Sequence, residues 1–222
     1  MRAMLLAAGR GERMRPLTDT TPKPLIDAGG QSLIVHAIER LRDAGIKELV
    51  INLSWLGEQI ETALGNGQAL KVNIRYSREP VQALETAGGI RNALPLLGDE
   101  PFVVCNADVW TDFNFSQLPA QPDDLAHLVL VNNPDHHPNG DFVLHGDRVN
   151  DAPSADRLTF SGIGVYRREL FSKDLPHRAA LAPILREAMQ QDLVSGEHFT
   201  GQWHDVGTVA RLQTLRKLLS SI

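Results

Sequence analysis

Between residues 9 and 23 the chain gathers two glycines and four cations: Gly9 and Gly11, then Arg10, Arg13, Arg15 and Lys23. Small residues let backbone N–H groups from Ala8, Gly9, Gly11, Glu12 and Arg13 approach a ligand closely, and clustered cations require that ligand to be anionic. Arg13 can grip phosphate oxygens through two parallel N–H bonds. Lys23 stands between Pro22 and Pro24, which restrict where its stem begins. Chemistry at phosphates needs positioning and charge neutralisation more than covalent help, and these residue types supply both. Residues 1–24 carry five cations against two acids, in a chain whose net charge is −5. A positive mouth on an acidic body suits a small polyanion and disfavours a nucleic-acid surface.

Carboxylates come next. Asn106-Ala107-Asp108 directly follows the apolar run Phe102–Cys105. A carboxylate at the end of a strand suits Mg²⁺, which prefers oxygen ligands and keeps waters and substrate phosphates as partners. Trp203-His204-Asp205-Val206-Gly207-Thr208 supplies a second carboxylate far downstream. Ser54, just past the run Glu48–Leu53, is a weaker nucleotide-side candidate. Cys105 reads as a buried strand thiol. His136 and His137 are adjacent, so their side chains point apart, and their polar loop is not a zinc site.

The elements that must position these groups follow from periodicity. Met4–Ala8, Glu48–Leu53, Val72–Tyr76 and Phe102–Cys105 read as strands. Leu33–Ala44, Gly57–Leu64 and Ala87–Leu97 between them read as helices, the first closed by Gly45. Strand and helix in alternation predict parallel strands with right-handed crossovers, and ligands beyond their carboxyl ends. Further on, Leu125–Val131 and Leu158–Tyr166 read as strands, Phe142–Val149 as a hairpin turning at Gly146-Asp147, and Leu181–Gln191 and Val209–Ser220 as helices. With 222 residues, 42% hydrophobic and 22% charged, and no linker or repeat, one domain is expected. Residues 1 to about 115 would hold nucleotide, and about 116 to 222 the second substrate. One cysteine and no signal-like or membrane-length apolar stretch point to a reducing cytoplasm.

Two common loop types fail. The dinucleotide pattern G-x-G-x-x-G breaks at Met14, and the lysine of the Walker pattern is absent. What remains, G-x-G-E-R-M-R-P-L-T followed by P-K-P, resembles the signature of the sugar-phosphate nucleotidyltransferases. The resemblance implies a Rossmann-like three-layer α/β/α domain with a mixed, mainly parallel sheet. It makes Arg13 and Lys23 catalytic, and it pairs Asp108 with Asp205 as ligands of Mg²⁺. Glu79-Pro80 and Leu84-Glu85-Thr86-Ala87-Gly88-Gly89 resemble the family's base-reading segment, with Glu85 in place of a usual glycine and Ala83 near the place of a usual base-pairing glutamine; the resemblance leaves backbone groups at Ala83 and Gly88 to meet the base. Asn139-Gly140-Asp141 and Phe160-Ser161-Gly162 resemble its sugar-side segments, which makes Asn106, Gly140, Asp141 and Ser161 the sugar-binding candidates.

Within the family, the strings ALETAGGIRNAL, NADVWTDFNF and WHDVGT look most like members that transfer uridylyl groups from UTP to N-acetylmuramate α-1-phosphate in peptidoglycan recycling. Guanylyl transfer from GTP to a mannose or heptose phosphate is the alternative. Arg13, Lys23, Asp108 and Asp205 are all present, which disfavours a catalytically silent sensor of nucleotide sugars. With no hexapeptide-repeat extension, a monomer is expected.

Overall fold

The computed structural model describes residues 1–80, 84–153, 155–171 and 175–220. Eleven strands are present among them: β1 (Arg2–Leu6), β2 (Glu48–Leu53), β3 (Asn73–Arg78), β4 (Phe102–Asn106), β5 (Val109–Thr111), β6 (Ala126–Val131), β7 (Phe142–His145), β8 (Arg148–Asn150), β9 (Arg157–Tyr166), β10 (Val194–Phe199) and β11 (Trp203–Asp205). The helices are α1 (Leu17–Thr20), α2 (Leu33–Asp43), α3 (Gly57–Leu64), α4 (Glu85–Leu97), α5 (Leu181–Gln190) and α6 (Val209–Leu219). None is long and apolar enough to cross a membrane.

Nine strands form one sheet in the order β3-β2-β1-β4-β9-β6-β10-β8-β7. The first four are mutually parallel, as the alternation of strand and helix predicts. From β9 onward the sheet is mixed: β9 runs antiparallel to β4, β6 and β7, while β6 and β10 are parallel. Parallel pairing needs a crossover, and the hairpin and direct returns of the second half supply none, so its pairs are mostly antiparallel.

Period-two alternation divides the core into two layers. Ala3, Leu5, Leu49, Ile51, Val103 and Cys105 face one side, against Ile34, Ala37, Ile38 and Leu41 of α2 and Ile60 of α3. Met4, Val50, Val104 and Leu128 face the other, against Ile90, Ala93 and Leu94 of α4 and Leu185 of α5. Helix α2 closes as read: Gly45 takes φ +84°, and Ile46 and Gly45 donate to Leu41 and Arg42.

Three strands escape the sequence pattern. β10 (VSGEHF) is half polar and carries Gly196, yet it pairs along its length with β6. A Cβ at Gly196 would lie 2.6 Å from Val149 Cγ2 and 2.7 Å from the Leu128 carbonyl, so the tight ladder requires glycine there. β5 and β11 are three residues each and pair antiparallel, Asp205 opposite Val109. A third apolar cluster joins Met14, Ile26, Leu33, Trp110 and Val206 to Leu212 and Leu215 of α6. It ties the glycine-rich loop, the strand ladder β5–β11 and the last helix to one another.

Candidate active site

The loop after β1 is held from both ends. Ala7 N–H donates to Asn52 Oδ1 at 2.7 Å, and Asn52 Nδ2 donates to Glu79 Oε1 at 2.6 Å. Glu79 Oε2 in turn accepts the Leu84 N–H at 3.3 Å. A buried asparagine at the end of an apolar strand thus links β1, β2 and the start of α4. Gly11 takes φ +65°, and a Cβ there would lie 2.8 Å from Thr18 Cγ2. Its carbonyl accepts the Thr18 hydroxyl and the Met14 N–H, both at 2.8 Å. Met14, which breaks the dinucleotide pattern, is fully buried and anchors the turn that projects Arg13.

This framework encloses a cavity of about 580 Å³ lined by residues from Leu6 through Arg13, with Lys23, Asn52, Glu79, Glu85, Thr86, Asn106, Asp108 and Gly207 among its other walls. The predicted Ala8, Gly9, Gly11, Glu12, Arg13, Lys23, Asn106 and Asp108 therefore converge on one space. Lys23 is only 8% exposed, and its ammonium donates to Asp108 Oδ2. A lysine this buried requires such a partner. Three-residue turns at Glu12–Met14 and Lys23–Leu25 aim the two cations, the second beginning at Pro22.

Asp205 reaches the neighbourhood through backbone pairing: Val206 N–H donates to the Asp108 carbonyl at 2.9 Å. Its carboxylate is engaged, with Arg211 Nη1 at 2.6 Å from Oδ2 and His136 Nε2 at 3.1 Å from Oδ1. A Cβ at Gly207 would clash with the Arg211 guanidinium and lie 3.2 Å from Arg13 Nη2, so both guanidiniums crowd this glycine. Neighbouring His204 is half-buried against Trp110, and burial holds it below its ordinary pKa despite Asp205 and Asp112. Among the described residues no three His, Cys, Asp or Glu side chains surround one point. Asp108 lines the cavity, whereas Asp205 does not and its carboxylate is taken up by Arg211 and His136; a cavity carboxylate completed by water and substrate phosphates fits Mg²⁺ better than a closed zinc site.

A second cavity, about 330 Å³, shares Leu6, Thr86 and Asn106 with the first. Asn106 lies over Gly162, where a Cβ would clash with its amide. Asp141 lines this second cavity; its Oδ2 accepts the Phe160 N–H at 2.8 Å, and Oδ1 lies 3.0 Å from His137 Nε2.

Four predicted contacts are corrected. Gly88 N–H donates to the Ala179 carbonyl at 3.1 Å inside the α4–α5 contact, so it offers nothing to a base. Ser161 is buried; its hydroxyl donates to Val129 O at 2.7 Å and accepts Ile163 N–H at 3.1 Å, where β6 and β9 shift register. Gly140 N–H turns back to His137 O at 3.3 Å. Its φ of +61° and tight approach to Arg157 explain the glycine instead. Ser54 lines neither cavity, and its carbonyl accepts the Gly57 N–H at the start of α3. Ala83 lies outside the described residues. Sequence reasoning passed over Asn52, Arg211 and Tyr166; for Asn52 the signal was available, a polar side chain inside the apolar run Glu48–Leu53.

The chain matches the model of the nucleotidyl transferase family over residues 2–221. It is 54% identical to an N-acetylmuramate alpha-1-phosphate uridylyltransferase of Neisseria meningitidis serogroup B, over 98% of each chain. It is 34% identical to a protein of the same name from Caulobacter vibrioides, over 92% of this chain and 91% of that one. Its fold is that of a crystal structure assigned as a glucose-1-phosphate thymidylyltransferase from Bacillus anthracis, with a TM-score of 0.87, 21% identity, and coverage of 100% and 96%.

Proposed function

Because the chain belongs to the nucleotidyl transferase family, we propose that it transfers a uridylyl group from UTP to N-acetylmuramate α-1-phosphate, with Mg²⁺ as cofactor. A phosphate oxygen of the sugar 1-phosphate attacks the α-phosphorus of UTP. The bond from the α-phosphorus to the oxygen bridging to the β-phosphorus breaks, and pyrophosphate leaves. The observation that carries this reading is the buried Lys23–Asp108 pair in the wall of the cavity built by the glycine-rich loop. The substrates are those in the names of the relatives that match nearly the whole chain.

In this reading the N–H groups of residues 8–13 cradle the triphosphate, and Arg13 grips its oxygens. Lys23 neutralises charge that builds on the phosphates as the new bond forms. Asp108 and Asp205 hold Mg²⁺, which supplies Lewis-acid stabilisation of the same charge when bound. Asp108 also holds Lys23 in place. Residues 1–115 serve the nucleotide, and the second cavity, with Asn106 and Asp141, receives the sugar. UTP is an intracellular nucleotide, so this enzyme works in the cytoplasm. Arg13, Lys23, Asp108 and Asp205 all come from one chain, and a monomer is the expected unit.

The test is pyrophosphate release from each of four nucleoside triphosphates paired with a panel of sugar 1-phosphates, in Mg²⁺. UTP with N-acetylmuramate α-1-phosphate should give the highest kcat/KM. Highest turnover with GTP and mannose 1-phosphate would replace the substrate assignment, and no release from any pair would overturn the catalytic one.

A further inference from the structure

Tyr166 is the largest fully buried side chain, and its hydroxyl is a buried side-chain polar atom without a hydrogen-bond partner among the described residues. A buried donor left in this condition destabilises the fold, and native structures seldom retain one without use. The base of the ring packs on Phe102 and Phe171, with centroids 6.5 and 5.8 Å away. The hydroxyl end runs back along β9: a Cβ at Gly164 would lie 2.9 Å from the oxygen. Gly162, two residues further along the same face, lines the second cavity, as does Tyr166 itself. Burial pushes the phenol well above its ordinary pKa, so it remains a donor at any working pH.

The surroundings define what that donor can meet. Phe142, Phe160, Leu181 and Leu185 make much of the cavity wall apolar, and none of the described lining residues is a cation. Asp141 contributes a carboxylate whose two oxygens are already engaged. A negatively charged substituent would therefore lose its hydration without gaining a counter-charge. A neutral carbonyl that carries a methyl group matches both features, accepting from the hydroxyl and covering the apolar wall. We propose that Tyr166 determines sugar specificity by donating a hydrogen bond to the carbonyl of an N-acyl group on the sugar phosphate. The inference rests on the function proposed above and assigns the part of that substrate which enters the second cavity.

The variant Tyr166→Phe removes one oxygen and keeps the ring. Its Kd for N-acetylmuramate 1-phosphate, measured by calorimetry, should rise roughly three- to tenfold, the worth of one neutral hydrogen bond. Its Kd for the de-N-acetylated analogue, muramate 1-phosphate, should stay at the parent value. KM should follow Kd, kcat should change less than about twofold, and the thermal midpoint should hold or rise because an unsatisfied donor is gone. Equal Kd for variant and parent, equal loss with both ligands, or no binding of either ligand to the parent would each overturn the proposal. If the parent binds the N-acetylated ligand but releases no pyrophosphate, the proposed reaction falls, while the difference in Kd still decides the role of Tyr166.

Discussion

At the scale of single residues, the site rests on opposite charges held close in a partly dry wall. Lys23 is buried and bound to Asp108, whose side chain is 31% exposed. The pair therefore sits where a polyanion can reach it without drawing lysine into solvent. Lys23→Ala should lower kcat by roughly 10²–10³-fold, the effect of removing one preorganised charge-stabilising donor. Steady-state kinetics at saturating substrates checks this; unchanged kcat would remove Lys23 from the chemistry. Residue types made Arg13, Lys23 and Asp108 phosphate and metal candidates, and the resemblance to the nucleotidyltransferases gave them their expected roles. They did not separate Ser161 from a sugar contact. A hydroxyl can satisfy its own backbone or a ligand equally well, and only the 2.7 Å bond to Val129 decides.

At the scale of elements, Asn52 does for β1, β2 and α4 what no backbone pairing does. Its amide joins the Ala7 N–H to the Glu79 carboxylate, which in turn takes the Leu84 N–H. Asn52→Ala leaves the buried Ala7 N–H and one oxygen of the Glu79 carboxylate without their partners, a loss of about 1–3 kcal/mol. Chemical denaturation should show that loss, and KM for the nucleotide should rise because the loop after β1 loses its tether. Full stability in the variant would show the tether to be redundant. Helices α2 and α3 and strand β2 were legible, because an amphipathic face or an apolar run is a local property. Strands β5, β10 and β11 were not. Two are three residues long and the third is half polar, and only the partner strand makes them strands.

At the scale of the whole molecule, the sheet buries its central strands on both faces, and Cys105 of β4 shows how completely. The thiol is 1% exposed, and burial pushes its pKa from 9.0 up to about 12. The folded state thus keeps a proton that the unfolded chain loses near the ordinary thiol value. The stabilisation is complete below pH 9.0 and declines as pH rises from there toward about 12. Thermal midpoints between pH 8 and pH 11 should fall more steeply for the parent than for Cys105→Ala, whatever the absolute offset between them. Parallel slopes would show that the thiol does not contribute.

The sequence by itself determined the alternation of strand and helix, and it marked residues 9–23 as phosphate-binding candidates and Lys23 and Asp108 as the candidate cation and carboxylate that the fold then paired. These depend on neighbours within a few residues, or on side-chain types with narrow chemical use. The tertiary structure decided which distant segments meet. It brought Asp205 beside Asp108 through a ladder of two three-residue strands, set Asn52 under the loop, and left Tyr166 with an unmet hydrogen bond at the second cavity. It also turned the N–H groups of Gly88 and Gly140 inward. Apart from the Gly140 turn, which closes on nearby His137, these contacts join residues tens of positions apart, and no local pattern encodes them, because each exists only once the sheet has closed around it.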